Sequence, residues 1–129
     1  MLSNAKLMAF AATTDAERAK NFYRGRLGLR LDADEDFALV FDANGTQLRI
    51  QKVKEFTPPP FTVLGWEVED IERAATTLAE KGIEFLRVDF IEQDVVGIWT
   101  SADGTRVGWF KDPDLNILSV TQFPVPTSS

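Results

Sequence analysis

The sequence predicts an α+β fold made of two βαβββ modules, and three observations carry this expectation. Apolar residues alternate with period two along most of the chain but switch twice to helical spacing, each time just after a capping aspartate, Asp15 and then Asp70. Three consecutive prolines, Pro58 to Pro60, divide the chain nearly in half. A ring that fixes φ and carries no N–H suits neither a helix interior nor a central strand, so a linker is expected there. The segment Asp15-Ala16-Glu17-Arg18-Ala19 then returns as Asp70-Ile71-Glu72-Arg73-Ala74, four of five residues identical at an offset of 55.

The first module runs from about 6 to 53. Residues 6–12 read as a strand with Leu7, Ala9 and Ala11 on one face and Met8, Phe10 and Ala12 on the other. Asp15 caps a helix over 16–26 that buries Ala19, Phe22 and Tyr23 and closes at Leu27-Gly28. Strands follow at 29–31 and 37–41, then the Asn44-Gly45 hairpin turn and a strand over 46–52 with Leu48 and Ile50 on one face. After the linker, 54–60, the second module covers about 61–123. It holds a strand at 61–68, a helix at 71–80 between Asp70 and Gly82, a strand near 83–88 and a short strand at 97–101. The Asp103-Gly104 turn precedes strands at 105–111 and 116–122, which are joined by a tight turn carrying Asp112, Pro113, Asp114 and Asn116. Residues 124–129 read as a flexible tail, and the whole chain as one domain of two modules.

Composition excludes several chemistries. Of 129 residues, 44% are apolar, enough for a core, while 14 basic against 20 acidic residues give a net charge of −6 with no Lys/Arg run. Nucleic acid therefore has no electrostatic footprint to bind. Without cysteine there is no disulfide frame or thiolate nucleophile, and without histidine every His-based triad and His-rich metal motif is excluded. The apolar run 7–12 is shorter than a signal-peptide core, so a cytoplasmic protein with no membrane partner is expected.

The paired βαβββ pattern, the strand-ending Thr13-Thr14-Asp15 and Val68-Glu69-Asp70, the Phe22-Tyr23 and Leu27-Gly28 spacing and the turn Asp112-Pro113-Asp114-Leu115-Asn116 resemble the vicinal oxygen chelate superfamily. This is the group of glyoxalase I, extradiol dioxygenases and bleomycin-resistance proteins. The resemblance covers about residues 6–122 and departs from the family's habit of a glycine at Leu115. It implies a cupped mixed β-sheet with helices on its outer face, and often a homodimer. It also implies a divalent metal held by the first and last strands of each module. Counting seven residues back from Asp15 and Asp70 puts Met8 and Val63 at the usual histidine positions; Ser119 takes the glutamate position, with Arg49, or Gln51 if the turn differs by two, as its counterpart. A thioether, an isopropyl group, a guanidinium and a hydroxyl are not a hard-cation ligand set, so no metal and no cofactor is expected.

The same parity brings Phe10, Gln47, Gln51, Gly65, Glu67, Ile117 and Thr121 to the inner face with these four, and leaves Leu48, Ile50, Leu64, Trp66, Leu118 and Val120 toward the helices. A mixed inner face suits a small-molecule pocket, with Met8, Phe10, Arg49, Gln51, Glu67, Trp99 and Ser119 as candidate ligand contacts, or else a face filled by its own side chains. Arg49 is open to three readings: an internal pair with Glu67, an anionic ligand, or exposure. Trp99 and Trp109 could each stack on a planar or cationic ligand or else belong to the core, and Trp99, in a loop beside the cup, is the stronger candidate for a ligand contact. Asp89, Glu92 and Asp94 form an acidic cluster that could hold an acid–base pair or be a solvated loop. The expected function is metal-free binding of a small organic molecule. A lyase, isomerase or dioxygenase-like enzyme with relocated or no metal ligands is the alternative, and a ligand-free structural or regulatory protein a third.

Overall fold

The structure, a computed structural model, describes residues 1–125, so the end of the expected flexible tail, 126–129, lies outside the described residues. The first sheet consists of β1 (Met8–Thr13), β2 (Arg30–Asp34), β3 (Ala38–Ala43) and β4 (Thr46–Lys52), in the order β1-β4-β3-β2. β1 runs parallel to β4, and the other neighbours are antiparallel. Alternation gives this sheet one fully buried face, on which Leu39 stands opposite Ile50 and Phe41 opposite Leu48. Each such side chain contributes roughly 1.5–3 kcal/mol through its burial.

α1 (Ala16–Lys20) begins where expected, the Asp15 carboxylate accepting the Arg18 N–H at 3.1 Å. It does not continue as an α-helix to Arg26. Asn21–Arg26 instead widens into a π-helical turn, which lets the consecutive residues Phe22 and Tyr23 both reach the core. Their rings meet edge to face at 5.1 Å, and Tyr23 leans on Phe41 at 5.7 Å. The Asn44-Gly45 turn has φ of 51° and 94°, the type I′ geometry that suits strand twist, and Asp42 fastens it by accepting the Gly45 N–H at 3.2 Å.

The second sheet repeats the plan. β5 (Thr62–Glu67), β6 (Trp99–Thr100), β7 (Arg106–Lys111) and β8 (Ile117–Gln122) lie in the order β5-β8-β7-β6, again with the first strand parallel to the last. α2 (Ile71–Glu80) is capped by Asp70, which accepts the Arg73 N–H at 3.1 Å, and buries Ile71. The match of four residues in five at the two helix starts thus marks a repeat of topology, and the two βαβββ modules of the α+β fold are as the sequence predicts.

One strand is missing from that expectation. Residues 83–88 are irregular, although Ile83 and Phe85 are buried in alternation as a strand would bury them. Their backbone is satisfied by a side chain: Gln93 Nε2 donates to the carbonyls of Leu86 and Gly97, and its Oε1 accepts the Val88 N–H, each at 2.8 Å. The Leu86 N–H donates to the Trp109 carbonyl at 2.6 Å. Trp99 lies on the two-residue β6 opposite Val107, so the short strand expected at 97–101 is present and the alternative reading of Trp99 as a loop residue is not.

By contacts the chain forms two compact units, Met1–Pro59 with Asp112–Asn116, and Pro60–Lys111 with the residues from Ile117 onward. The turn between β7 and β8 therefore packs with the first unit. Among the described residues no helix is long and apolar enough to cross a membrane.

Candidate functional site

The helix-free face of the first sheet carries four of the expected site residues. Phe10 lies beside Arg49 in the β1–β4 ladder, Met8 beside Gln47 and Ala12 beside Gln51, with Met8 and Phe10 42% and 49% exposed. Arg49 forms an internal ion pair, but with Glu35 and not with Glu67. Its Nη2 donates to Glu35 Oε1 at 2.6 Å and its Nη1 to Gln47 Oε1 at 3.1 Å. Glu35 sits in the connection between β2 and β3, and strand alternation says nothing about where such a connection directs its side chains.

In the second sheet Gly65 lies beside Ser119 and Glu67 beside Thr121. Ser119 is buried over Gly65, where an added Cβ would stand 2.9 Å from the serine Oγ, and Glu67 is exposed. Since Phe10 pairs with Arg49 and its repeat counterpart Gly65 with Ser119, the register identifies Arg49, not Gln51, as the counterpart of Ser119. Val63 falls where the β5–β8 register slips between Thr62 and Leu64. The four positions Met8, Arg49, Val63 and Ser119 do not fit a divalent metal: the one charged head group among them is a cation already paired with a carboxylate. Among the described residues no group of three or more His, Cys, Asp or Glu could hold a metal ion.

A cavity of about 390 Å³ opens in the second unit. Trp99 and Trp109, on adjacent strands, form one side of it, with ring centroids 6.0 Å apart and planes inclined by 38°. Phe61 lines it from the start of the module, and Val88, Phe90 and Ile91 from the irregular segment. Phe90 and Phe61 are 88% and 63% exposed, so two phenyl rings stand at its edge largely in solvent. Of the expected site residues Trp99 belongs to this cavity, and Trp109, the weaker of the two stacking candidates, lines it as well. The signal for it was present: Trp109 lies directly opposite Ser119 in the β7–β8 ladder and so shares its face.

The segment that bears Val88, Phe90 and Ile91 is held in shape by the Gln93 bridge and by two more side chains. The Arg87 guanidinium donates to the Asp94 carbonyl at 2.6 Å and to that of Val95, and Asp94 Oδ1 accepts the N–H groups of Val96 and Ile98 at 3.0 and 2.9 Å. Within the acidic cluster of Asp89, Glu92 and Asp94, the last is thus committed to loop backbone.

The other concentration of polar groups lies in the first unit, where Asp112, Asp114 and Asn116 are buried. Asp114 accepts from the Thr13 hydroxyl at 2.5 Å, from the Thr14 N–H and hydroxyl at 3.0 Å each, and from Arg18 at 3.0 Å. Leu115, in place of the family's glycine, takes φ of 70° in this turn, so the loop keeps a left-handed residue and bears a cost on the order of 1 kcal/mol. Burial works to raise the Asp114 pKa, but the Thr13 and Thr14 hydrogen bonds and the Arg18 charge outweigh it and hold the pKa below the ordinary carboxylate value. A folded-state pKa depressed in this way contributes stability that is present above the unfolded value and is lost as pH falls through the folded one. Urea midpoints should therefore drop below about pH 4. In Asp114→Asn, which is less stable at neutral pH, that acid-dependent slope should be reduced; an unchanged slope would assign the acid loss to other carboxylates.

Comparison with solved structures finds the same fold in proteins of low identity. A glyoxalase/bleomycin resistance protein from Catenulispora acidiphila matches with TM-score 0.69 and 23% identity, covering 92% of this chain and 98% of that one. A glyoxalase/bleomycin resistance protein/dioxygenase from Alicyclobacillus acidocaldarius gives 0.69 and 19%, covering 93% and 92%. Lactoylglutathione lyase from Agrobacterium tumefaciens gives 0.69 and 13%, covering 92% and 93%. Comparison with curated proteins gives no match. The family model of the glyoxalase/bleomycin resistance protein/dioxygenase superfamily matches residues 7–120, nearly the whole chain, and the protein belongs to that superfamily.

Proposed function

We propose that this protein binds a small organic molecule without a metal, in the Trp99/Trp109 cavity of its second module. The observation that carries the reading is the cavity itself: its volume lies in the range of small-molecule sites, and two indoles with two exposed phenyl rings give it an aromatic lining that a ligand would cover. The donor set at Met8, Arg49, Val63 and Ser119 supports the metal-free part of the proposal, since none of these groups suits a hard cation. A cytoplasmic homodimer completes the reading, the dimer on the strength of the family resemblance alone.

The test is a screen of aromatic compounds by thermal shift and tryptophan fluorescence. A ligand at 100 times its Kd should stabilise the fold by about 2.7 kcal/mol and quench the emission of Trp99 and Trp109. Trp109→Ala should weaken that ligand at least about tenfold, as loss of a buried aromatic anchor does. Compounds that bind the Trp109→Ala protein unchanged would place the site elsewhere, and a screen with no binder at all would remove the proposal.

A further inference from the structure

Resting on the binding role just proposed, we infer that the ligand of the second-module cavity is an uncharged, flat aromatic compound of about two fused rings. Among the described residues the lining contains no ionisable side chain. Thr62 supplies a hydroxyl, and the rest is aromatic, aliphatic or proline. An ion entering such a site gives up its hydration and meets no counter-charge. A neutral ring system gives up little and covers the indoles.

Aromatic walls can also attract a cation through their faces, so that rival has to be weighed. Here the rings share the cavity with Leu86, Val88, Ile91 and Ile117, whose aliphatic surfaces offer a cation nothing. The two indoles, with centroids 6.0 Å apart and planes inclined at 38°, offer an extended aromatic surface on which a flat ring covers more area than a compact charge does. An anion finds no cation among the lining residues: Lys111, opposite Ile117 in the β7–β8 ladder, is exposed, and Arg87, between Leu86 and Val88, donates to the Asp94 and Val95 carbonyls. The size points the same way, because about 390 Å³ is near the lower end of the range for drug-sized sites.

The experiment compares three bicyclic probes of nearly the same shape: quinoline, N-methylquinolinium and naphthalenesulfonate. Each is titrated at neutral pH into the wild-type protein and into Trp109→Ala, following fluorescence and heat, at low and at high salt. Quinoline should bind at least about tenfold more tightly than either ion, as expected where a charge is desolvated without a partner, and its affinity should not change with salt. Trp109→Ala should weaken it. N-methylquinolinium or naphthalenesulfonate binding as tightly as quinoline, with loss in Trp109→Ala, would overturn the inference about charge and leave the cavity as the site. Absence of binding by all three, or binding indifferent to Trp109→Ala and to Phe90→Ala, would overturn the choice of cavity and the inference with it.

Discussion

Asp112→Ala is expected to destabilise the protein by about 3–5 kcal/mol, as when several buried donors lose a shared charged acceptor. Asp112 is 3% exposed and uses both carboxylate oxygens. Oδ1 accepts the N–H groups of Asp114 and Asn116 at 2.9 Å each, while Oδ2 accepts from the Tyr23 hydroxyl at 2.6 Å and the Asn116 amide at 2.9 Å. Alanine leaves four donors without an acceptor in a place where water has little access, and each carries its own desolvation cost. Asp112→Asn should fall between, at about 1–3 kcal/mol, because its amide NH₂ would oppose the Asn116 NH₂ while its oxygen still serves the two backbone N–H groups. Tyr23→Phe removes one donor and keeps the acceptor, so it should cost about 1–2 kcal/mol. Combined with Asp112→Ala it should add little, since the hydroxyl has then already lost its partner. Urea melts of the four variants measure all of this. Full additivity of Tyr23→Phe with Asp112→Ala would show that the hydroxyl and the carboxylate do not act as a pair.

The residues of this network show what sequence reasoning can and cannot reach. Asp112, Asp114 and Asn116 are legible as a turn, because their preference for turn conformations is local. Their burial is not, since it depends on partners about 90 to 100 positions away, at Tyr23, Thr13 and Thr14. The same division runs through the molecule. Asp15 and Asp70 as caps, the Asn44-Gly45 turn and the inner and outer faces of β4 and β8 follow from rules spanning a few residues, and the structure has them. The irregular 83–88 segment reads as a strand because its side chains alternate; that its backbone is served by Gln93 is a tertiary matter. Trp109 was within reach, because the parity that places Ser119 also places the residue opposite it. Arg49 was legible as a cation requiring a partner, but Glu35 becomes that partner through the course of the β2–β3 connection, which no periodicity encodes.

Gly108→Ala should cost about 3 kcal/mol, at the upper end of what overpacking a core does. An added Cβ would lie 2.3, 2.5 and 2.6 Å from Cε2, Cζ and Cδ2 of Phe85, distances at which the ring must move. Phe85 has little room to do so. A Cβ at Gly97 would stand 2.9 Å from its own Cβ, so glycines confine it at both ends, and its ring centroid lies 6.5 Å from that of Phe110. Gly108 pairs with Val120 in the ladder, and the aromatic ring lies over the glycine and covers backbone that no side chain of β7 can cover. Displacing it should also disturb the segment that carries Leu86, Val88, Phe90 and Ile91 to the cavity, whose backbone has the Gln93 bridge and the Leu86-to-Trp109 bond to hold it. Amide exchange in 83–98 should therefore accelerate more than in β7 and β8, and affinity for any cavity ligand should fall with it. Phe85→Leu alone should cost about 1–2 kcal/mol through lost contact and a small void. Placed in the Gly108→Ala protein, the smaller leucine should recover part of the loss, giving a favourable coupling between the two sites. Denaturation of the single and double variants decides the matter: if Phe85→Leu makes Gly108→Ala worse by its full separate cost, the glycine is not there to seat the ring.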